Sequence, residues 1–429
     1  MKLIRFSLWS LLLLVTAARA ETVMITNVTV HTMGSLGTIE HGAVLIEDGI
    51  ITSFDGDVEM SADTRVIRAE TSVVTPGLFD PYSYLGVNEI DLVEETVDGR
   101  QSGSRFTASF DVVPAINPRS TLLPINRIEG ITHAMAAPQP AWTDASLISG
   151  LGAVINLGGA DDYLVKGAAA LFVQLGEGGA STISGSRATA ALALREALED
   201  ARDYDRHRND YDEGRRREYS VGRYDLEALQ SVLEREIPIV ISVNRASDIE
   251  QVLDLAETED LWLIINGGAE AWMVADRLEE AGVAVILDPT RNLPEQFESL
   301  NATLESAARL HEAGVDIAFS ISDSHNSRNL RQLAGNAVAN GLPWIEALRA
   351  ITATPASLYA EENSIGTLKI GRRANLVVWS GDPLEVTTYP SHVFINGKLI
   401  SMRSRQTLLR DRYLELDDDT LPAYRNVIQ

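Results

Sequence analysis

The 429-residue sequence contains no cysteine and only seven histidines. Without cysteine, neither a disulfide nor a lipid-modified cysteine can form, so the folded chain must rely on its apolar core. Basic residues are also scarce, with 36 lysines and arginines against 61 acidic residues and a net charge of -25. This balance argues against binding to nucleic acid or to anionic membrane surfaces, and it indicates a soluble acidic surface.

Long apolar runs are missing too, apart from Leu8 to Val15 near the amino terminus. That run is too short to span a bilayer, which takes about 20 residues. It follows a short basic start and precedes an A-x-A motif that ends at Ala20. The pattern predicts a signal peptide over residues 1–20, with a membrane anchor as the alternative. We therefore expect a periplasmic or secreted protein that is free of the membrane after cleavage.

Strand-like and helical stretches alternate through residues 73–363, a pattern typical of a parallel sheet. The sequence predicts an α/β fold with a (β/α)8 TIM-like barrel. A doubly wound sheet is the alternative, but it offers no place for the β-rich chain ends described next. The eight strand candidates are Val73–Asp80, Ile131–Ala137, Ala153–Leu157, Ala169–Leu175, Ile237–Val243, Leu261–Asn266, Val283–Leu287 and Val315–Ile321.

The two chain ends have a different pattern from the middle. Residues 21–72 and 364–402 contain short strands separated by turns, and they predict a small β-sandwich built from both ends. Residues 403–429 predict a helix and an acidic tail. A charged insertion over residues 203–219 predicts a solvated helix with mixed charge pairs, and a binding arm over the barrel mouth is the alternative.

The sequence of residues 76–86 is Pro-Gly-Leu-Phe-Asp-Pro-Tyr-Ser-Tyr-Leu-Gly. It resembles the first barrel strand of the amidohydrolase superfamily, most nearly the imidazolonepropionase-like branch, which has P-G-[LF]-[IV]-D-x-H-x-H-x-G. The resemblance covers nearly all of the mature chain. It implies a hydrolase acting on C–N bonds in cyclic amides, amides or peptide-like substrates. It also implies one or two divalent metals such as zinc.

At the family's metal-ligand positions, however, this sequence has other residues. Tyr82 and Tyr84 stand at the two histidine positions of the first strand. On strand 5 the branch has V-H-A-H-R-A-x-D-I, whereas residues 241–249 here read I-S-V-N-R-A-S-D-I, so Ser242 and Asn244 stand at the two histidine positions. Gly267 replaces the strand 6 histidine. A catalytic zinc needs about three protein ligands, so we predict that no metal cofactor is held.

The remaining site candidates follow from the rule that barrel enzymes place their chemistry at the carboxyl ends of strands. Asp323 after the last strand is the candidate acid or base. A carboxylate in a metal-free mouth needs other partners, so we predict that a hydroxyl of Tyr82 or Tyr84 donates a hydrogen bond to Asp323. Further predicted pocket residues are Glu177, Arg245, Asn266, Glu270 and His325.

Three functional hypotheses follow from this reading. The first is an exported hydrolase of C–N bonds, as the resemblance implies. The second is a catalytically silent barrel that binds a small-molecule ligand or pairs with another chain, as a homodimer or as a heterodimer with an intact amidohydrolase relative. The third is a metal-free enzyme in which Asp323 and a tyrosine act as acid and base.

Overall fold

The computed structural model describes residues 22–56, 63–101, 105–140, 146–183 and 185–414. The predicted signal peptide and the acidic tail after residue 414 lie outside these ranges. Within them, no helix combines the length and the apolar character that crossing a bilayer requires.

Strands from both chain ends join in one seven-stranded sheet. Its hairpins contain residues suited to tight turns, with Asp48 and Gly49 at φ values of 50° and 78° in one turn and Asn396 and Gly397 at 50° and 78° in another. The two turns pack against each other, because a Cβ on Gly397 would lie 2.2 Å from the Cα of Gly49. The sheet order is β15-β14-β13-β4-β1-β2-β3, with β1 Thr22–His31, β2 Thr38–Glu47, β3 Ile50–Ser53, β4 Arg65–Pro76, β13 Leu376–Trp379, β14 Pro390–Ile395 and β15 Lys398–Leu399.

The middle of the chain forms a second sheet of eight strands that curves into a TIM-like barrel, which confirms the predicted fold class. The strands lie in the order in which they occur in the sequence. They are β5 Leu78–Ser83, β6 Ile131–Ala136, β7 Ile148–Asn156, β8 Leu164–Gln174, β9 Ile239–Val243, β10 Leu263–Gly267, β11 Ala284–Leu287 and β12 Ile317–Phe319.

The prediction that all eight barrel strands run parallel is wrong at the third strand. β7 runs antiparallel to both β6 and β8. The reason lies in the short connection over residues 157–163, because a parallel crossover needs a dozen or more residues. β7 and β8 therefore form a hairpin where the sequence predicted two parallel strands.

Ser320, just after β12, links the last barrel strand to the first. Its Oγ lies 2.7 Å from Oδ1 of Asp80 and 2.5 Å from the carbonyl oxygen of Tyr82. The backbone N–H of Tyr84 also donates to the carbonyl of Asp323 at 3.3 Å. These contacts bring the ends of β5 and β12 together and nearly close the barrel.

Alternate residues along the barrel strands serve two different cores. On β8, Phe172 points into the barrel interior, whereas Leu171 and Val173 belong to the layer between strands and helices. The helices are α1 Leu122–Arg127, α2 Gly176–Thr182, α3 Arg187–Arg206, α4 Arg208–Asp212, α5 Arg223–Leu233, α6 Ala246–Glu259, α7 Ala275–Glu280, α8 Ser306–Glu312, α9 Leu330–Ala339, α10 Trp344–Arg349, α11 Ala353–Leu358 and α12 Arg405–Leu414.

The sheet from the chain ends packs against the barrel through one face of β13 and through Val393 and Ile395 of β14. Val377 and Trp379 belong to the barrel's hydrophobic cluster, whereas Leu376 and Val378 belong to the core of the seven-stranded sheet. Trp379 is fully buried, and its Nε1 donates to Oγ1 of Thr75 at 2.9 Å. The strand alternation thus joins the two parts of the molecule.

The charged insertion folds back onto α3. Asp203 accepts hydrogen bonds from Arg216 and from the hydroxyl of Tyr219. Tyr211 stacks on Tyr219 with ring centroids 5.3 Å apart, and both rings contact Tyr204 edge-on. Charge pairs and ring contacts therefore order this segment, but it is helical only as far as Asp212, so the prediction of a helix over residues 203–219 is wrong in its second half.

Candidate functional site

A cavity of about 230 Å³ opens at the barrel mouth, at the carboxyl ends of the parallel strands. Most of its lining side chains carry a hydroxyl or an amide group, and few are charged. The polar lining residues are Tyr82, Tyr84, Gln174, Ser242, Asn244, Asn266, Asp288, Arg291, Ser320 and Ser322.

The structure divides the predicted site residues into two groups. Six of them line the mouth cavity, namely Tyr82, Tyr84, Ser242, Asn244, Asn266 and Gly267. The other five lie outside its lining, namely Glu177, Arg245, Glu270, Asp323 and His325.

Three amide and hydroxyl side chains form a row across the cavity floor. Gln174, Ser242 and Asn266 occupy paired positions on the neighbouring strands β8, β9 and β10. The amide nitrogens of Gln174 and Asn266 both donate to Oγ of Ser242, at 3.2 Å and 2.9 Å. Because Ser242 accepts both bonds, its own hydroxyl proton can be donated, and both amide oxygens can accept.

The two tyrosines form one wall of the cavity. Their rings meet edge-on with centroids 6.0 Å apart, and Tyr82 also contacts Phe172 edge-on at 5.2 Å. Burial raises the pKa of the Tyr82 phenol, and it raises the pKa of the Tyr84 phenol well above its ordinary value. Both phenols are therefore neutral hydrogen-bonding groups at neutral pH and poor ligands for a metal ion.

The predicted hydrogen bond between a tyrosine hydroxyl and Asp323 is wrong. Oδ1 of Asp323 accepts the backbone N–H groups of His325 and Asn326 at 2.8 Å and 3.1 Å, and Oδ2 accepts the Asn326 side chain at 3.0 Å. Asp323 thus orders the turn that follows β12. His325 lies on the same turn, 3.3 Å from the side chain of Gln406.

A different carboxylate lies beneath the mouth. Asp80 is fully buried, and its Oδ1 accepts the backbone N–H of Tyr82 at 3.1 Å. Its Oδ2 has no hydrogen-bond partner within the described ranges. Burial raises the pKa of Asp80 to about 7, although contacts with Ser320 and Ser327 lower it in part. The group therefore titrates near neutral pH.

Glu298 holds together three of the loops around the mouth. It is buried, and its carboxylate accepts the side chain of Asn244 at 2.9 Å and the backbone N–H of Glu177 at 2.7 Å. Arg187 lies 3.3 Å from it and also pairs with Asp248 at 2.8 Å. The loops after β8, β9 and β11 are therefore joined through one carboxylate.

Glu270 has a similar structural role. It is buried and accepts the backbone N–H of Ala246 at 3.0 Å and the side chain of Asn301 at 2.9 Å. Arg245 pairs with Asp248 at the start of α6. The predicted site residues Glu177, Arg245 and Glu270 thus support the loops around the cavity and do not line it.

Replacing Glu298 with alanine is expected to destabilise the protein by about 3 kcal/mol, because several donors would lose a charged partner. The loop after β11 should also become more sensitive to proteolysis. Urea denaturation and limited proteolysis measure the two effects. Glu295→Ala is the matched control, since Glu295 lies exposed on the same loop. An equal loss of stability in the two variants would contradict the proposed role of Glu298 as an anchor of the loop.

The side chains at the mouth do not fit a metal centre of the zinc type. Among the described residues, no three of the types His, Cys, Asp and Glu are grouped so that they could hold a metal ion. Zinc is bound by thiolate, imidazole or carboxylate ligands, whereas Ser242 and Asn266 present a hydroxyl and an amide. The site can instead donate and accept hydrogen bonds over a small polar surface.

Sequence reasoning missed several lining residues. Gln174 ends β8 and lies on the cavity floor, whereas the predicted Glu177 lies three residues farther on. Asp288 and Arg291 follow β11, and their side chains lie 3.8 Å apart. The signal that could have found them is their position, because Gln174 is the last residue of β8 and Asp288 directly follows the buried strand β11.

Comparisons with known proteins place this geometry in context. The family model described as Amidohydrolase family matches residues 246–400. The curated relative "Amidohydrolase tasK" from Hapsidospora irregularis is 24% identical over 406 residues, covering 83% of this chain and 39% of the relative. The chain therefore spans well under half the length of that relative.

Solved structures resemble the chain over most of its length. An amidohydrolase from Thermotoga maritima MSB8 is 25% identical with a TM-score of 0.78, and the match covers 89% of this chain and all of that one. A molinate hydrolase is 16% identical with a TM-score of 0.54, covering 96% of this chain and 99% of that one. The second likeness concerns the fold alone.

Proposed function

Because the chain belongs to the amidohydrolase family, we propose that it is a member that has lost its metal site and binds a small polar molecule at the barrel mouth. The fold is that of a hydrolase family, but the mouth presents hydroxyl and amide groups. This function is that of a catalytically silent barrel, and it gives the cavity a role that needs no metal.

The row Gln174–Ser242–Asn266 is the observation that carries this proposal. Its members lie where neighbouring strands end, and their hydrogen bonds hold one another in place. The two amide oxygens remain for a ligand, and the Ser242 hydroxyl, which also contacts the Tyr82 phenol, lies between them. Tyr82 and Tyr84 add neutral phenols beside them. Such a surface suits an uncharged ligand with several hydrogen-bonding groups.

Hydrolysis of a C–N bond is the second candidate function. The relatives whose printed names include "amidohydrolase" favour it. A substrate would be a cyclic amide, an amide or a peptide-like molecule, as the resemblance implies. Export to the periplasm or beyond is also part of our proposal, and it rests on the basic start, the apolar run and the A-x-A motif at residues 1–20.

Metal content and ligand binding distinguish the two functions. The mature chain is produced in medium supplemented with zinc and manganese, its metal is measured by mass spectrometry, and turnover of amides, lactams and dipeptides is screened. We expect no stoichiometric metal and no turnover. Stoichiometric metal together with turnover would overturn the silent-barrel proposal and establish the hydrolase.

A thermal-shift screen of uncharged polar compounds tests the binding site itself. A ligand that binds the folded chain should raise its unfolding temperature. Ser242→Ala should weaken that shift, because it removes the hydroxyl at the centre of the row. Ser391→Ala, in the seven-stranded sheet, is the control and should keep the shift. Equal shifts in both variants would place the ligand elsewhere.

A further inference from the structure

We propose that the mouth side of the barrel is the surface on which a second copy of this chain docks. The contact is made by six exposed apolar side chains on two loops, which we call the rim face. Its residues are Ile90, Leu92, Val93, Leu293, Phe297 and Leu300.

The first loop of the rim face follows β5 and presents three apolar residues within four positions to solvent. Leu92 is 95% exposed, beside Ile90 at 56% and Val93 at 39%. The loop is nonetheless ordered, because Oγ1 of Thr96 bonds to the backbone N–H of Ile90 at 3.1 Å and lies 2.8 Å from the carbonyl of Val93. A partner would therefore meet a preformed tip, and binding would require little further ordering.

The second loop follows β11 and is anchored from below by Glu298. Phe297 is 82% exposed, and Leu293 and Leu300 are 63% and 59% exposed. Their neighbour Glu298 is buried and holds the loop through Asn244. As in the first loop, a fixed backbone carries apolar side chains that are largely exposed to solvent.

Both loops lie at the same end of the barrel. The mouth cavity takes Tyr84 from the start of the first loop and Asp288 and Arg291 from the second. The rim face therefore flanks the cavity, and a second copy seated on it would cover the site.

The size of the rim face fits a dimer. With about 200 Å² for one fully exposed large residue, the scale of an aromatic side chain, the exposed fractions of the six residues correspond to roughly 800 Å² of surface. That is about the area one partner contributes to a standard interface. A two-fold axis brings the same patch from both copies together, so an apolar patch is complementary to itself.

The acidic residues around the first loop oppose this contact, so the affinity of the dimer should depend on salt concentration in a characteristic way. Glu89, Asp91, Glu94 and Glu95 surround Leu92 within a few residues. Identical acidic loops repel across a two-fold axis, and salt screens that repulsion. The dimer should therefore become tighter as ionic strength rises, whereas an interface made of ion pairs would weaken.

Sedimentation velocity on the mature chain tests the proposal over a wide range of protein and salt concentration. We expect a dimer whose affinity increases with salt. Leu92→Asp and Phe297→Asp should each weaken it at least about 30-fold, the effect of removing a strong interface contact. Leu36→Asp is the control, because Leu36 is 54% exposed between β1 and β2 of the seven-stranded sheet, and it should leave the dimer intact.

Circular dichroism confirms that each variant is folded, which is expected because all three positions are exposed. A chain that stays monomeric at every concentration overturns the proposal. So does a dimer that both rim-face variants leave unchanged, or one that weakens as salt is added.

Discussion

Replacing Asp80 with asparagine is expected to stabilise the protein above neutral pH and to change its stability little in acid. Burial raises the pKa of Asp80 from 3.8 to about 7. Below the lower value, the carboxyl is protonated in both the folded and the unfolded chain. Between the two values the unfolded chain loses the proton first, so the stability of the wild type falls as pH rises.

The size of this effect follows from the difference between the two pKa values. Each unit corresponds to about 1.4 kcal/mol, so the wild type should lose about 4 kcal/mol between acid and about pH 8. Asparagine has nearly the same shape and carries no charge. The variant should therefore keep the contact with the Tyr82 backbone while it avoids the cost of a buried negative charge.

Urea denaturation of the wild type and Asp80→Asn at several pH values measures this. The difference between the two proteins at each pH cancels the titration of all other groups, provided that they do not couple to Asp80. Asp98→Asn, at an exposed position, is the control and should follow the wild type. Parallel stability curves for Asp80→Asn and the wild type would contradict the prediction.

The fold was largely predictable because local signals agreed with it. Asp48-Gly49 and Asn396-Gly397 are typical of hairpin turns, and the structure has left-handed residues at those positions. The direction of β7 was not predictable from its own apolar residues, because a buried strand reads the same in either direction. The length of the connection over residues 157–163 contained the missing information.

The site was predictable where residues lie directly at strand ends. Ser242 was named because it stands at a histidine position of the resembled family, and Asn266 because it lies at the end of a buried strand; both line the cavity. After β12 the choice was one residue off, since Ser322 lines the cavity and Asp323 does not. Ser322 has a φ of 54°, a left-handed turn that redirects the following side chain. No pattern in the sequence predicts that turn.

Neutral polar side chains form the cavity floor, whereas charged side chains form the network that supports it. The floor, with Gln174 and Ser242, is built from neutral groups, whereas the paired charges of Glu298 and Arg187 lie in the loops behind it. Buried charges are tolerated where they are paired and hydrogen-bonded. This arrangement keeps the loops fixed while the floor offers a neutral surface, as the proposed binding of an uncharged ligand requires.

Replacing Trp379 with alanine is expected to destabilise the protein by about 4 kcal/mol, which is typical of losing a fully buried large aromatic side chain. The indole fills the junction between the seven-stranded sheet and the barrel, and a Cβ on Gly130 would lie only 2.6 Å from its ring. Trp379→Phe retains most of the packing and loses the hydrogen bond to Thr75. Trp379→Phe should therefore destabilise the protein less than Trp379→Ala does, although the smaller phenyl ring leaves part of the indole's volume unfilled.

Chemical denaturation followed by circular dichroism measures both variants. A cost for Trp379→Ala similar to that of Trp379→Phe would contradict the role of the ring at the junction. A more informative result concerns cooperativity, because β13 shares its two faces between the two parts of the molecule. If Trp379 couples them, the alanine variant should unfold in a broader transition than the wild type, since the seven-stranded sheet can then lose its structure before the barrel does.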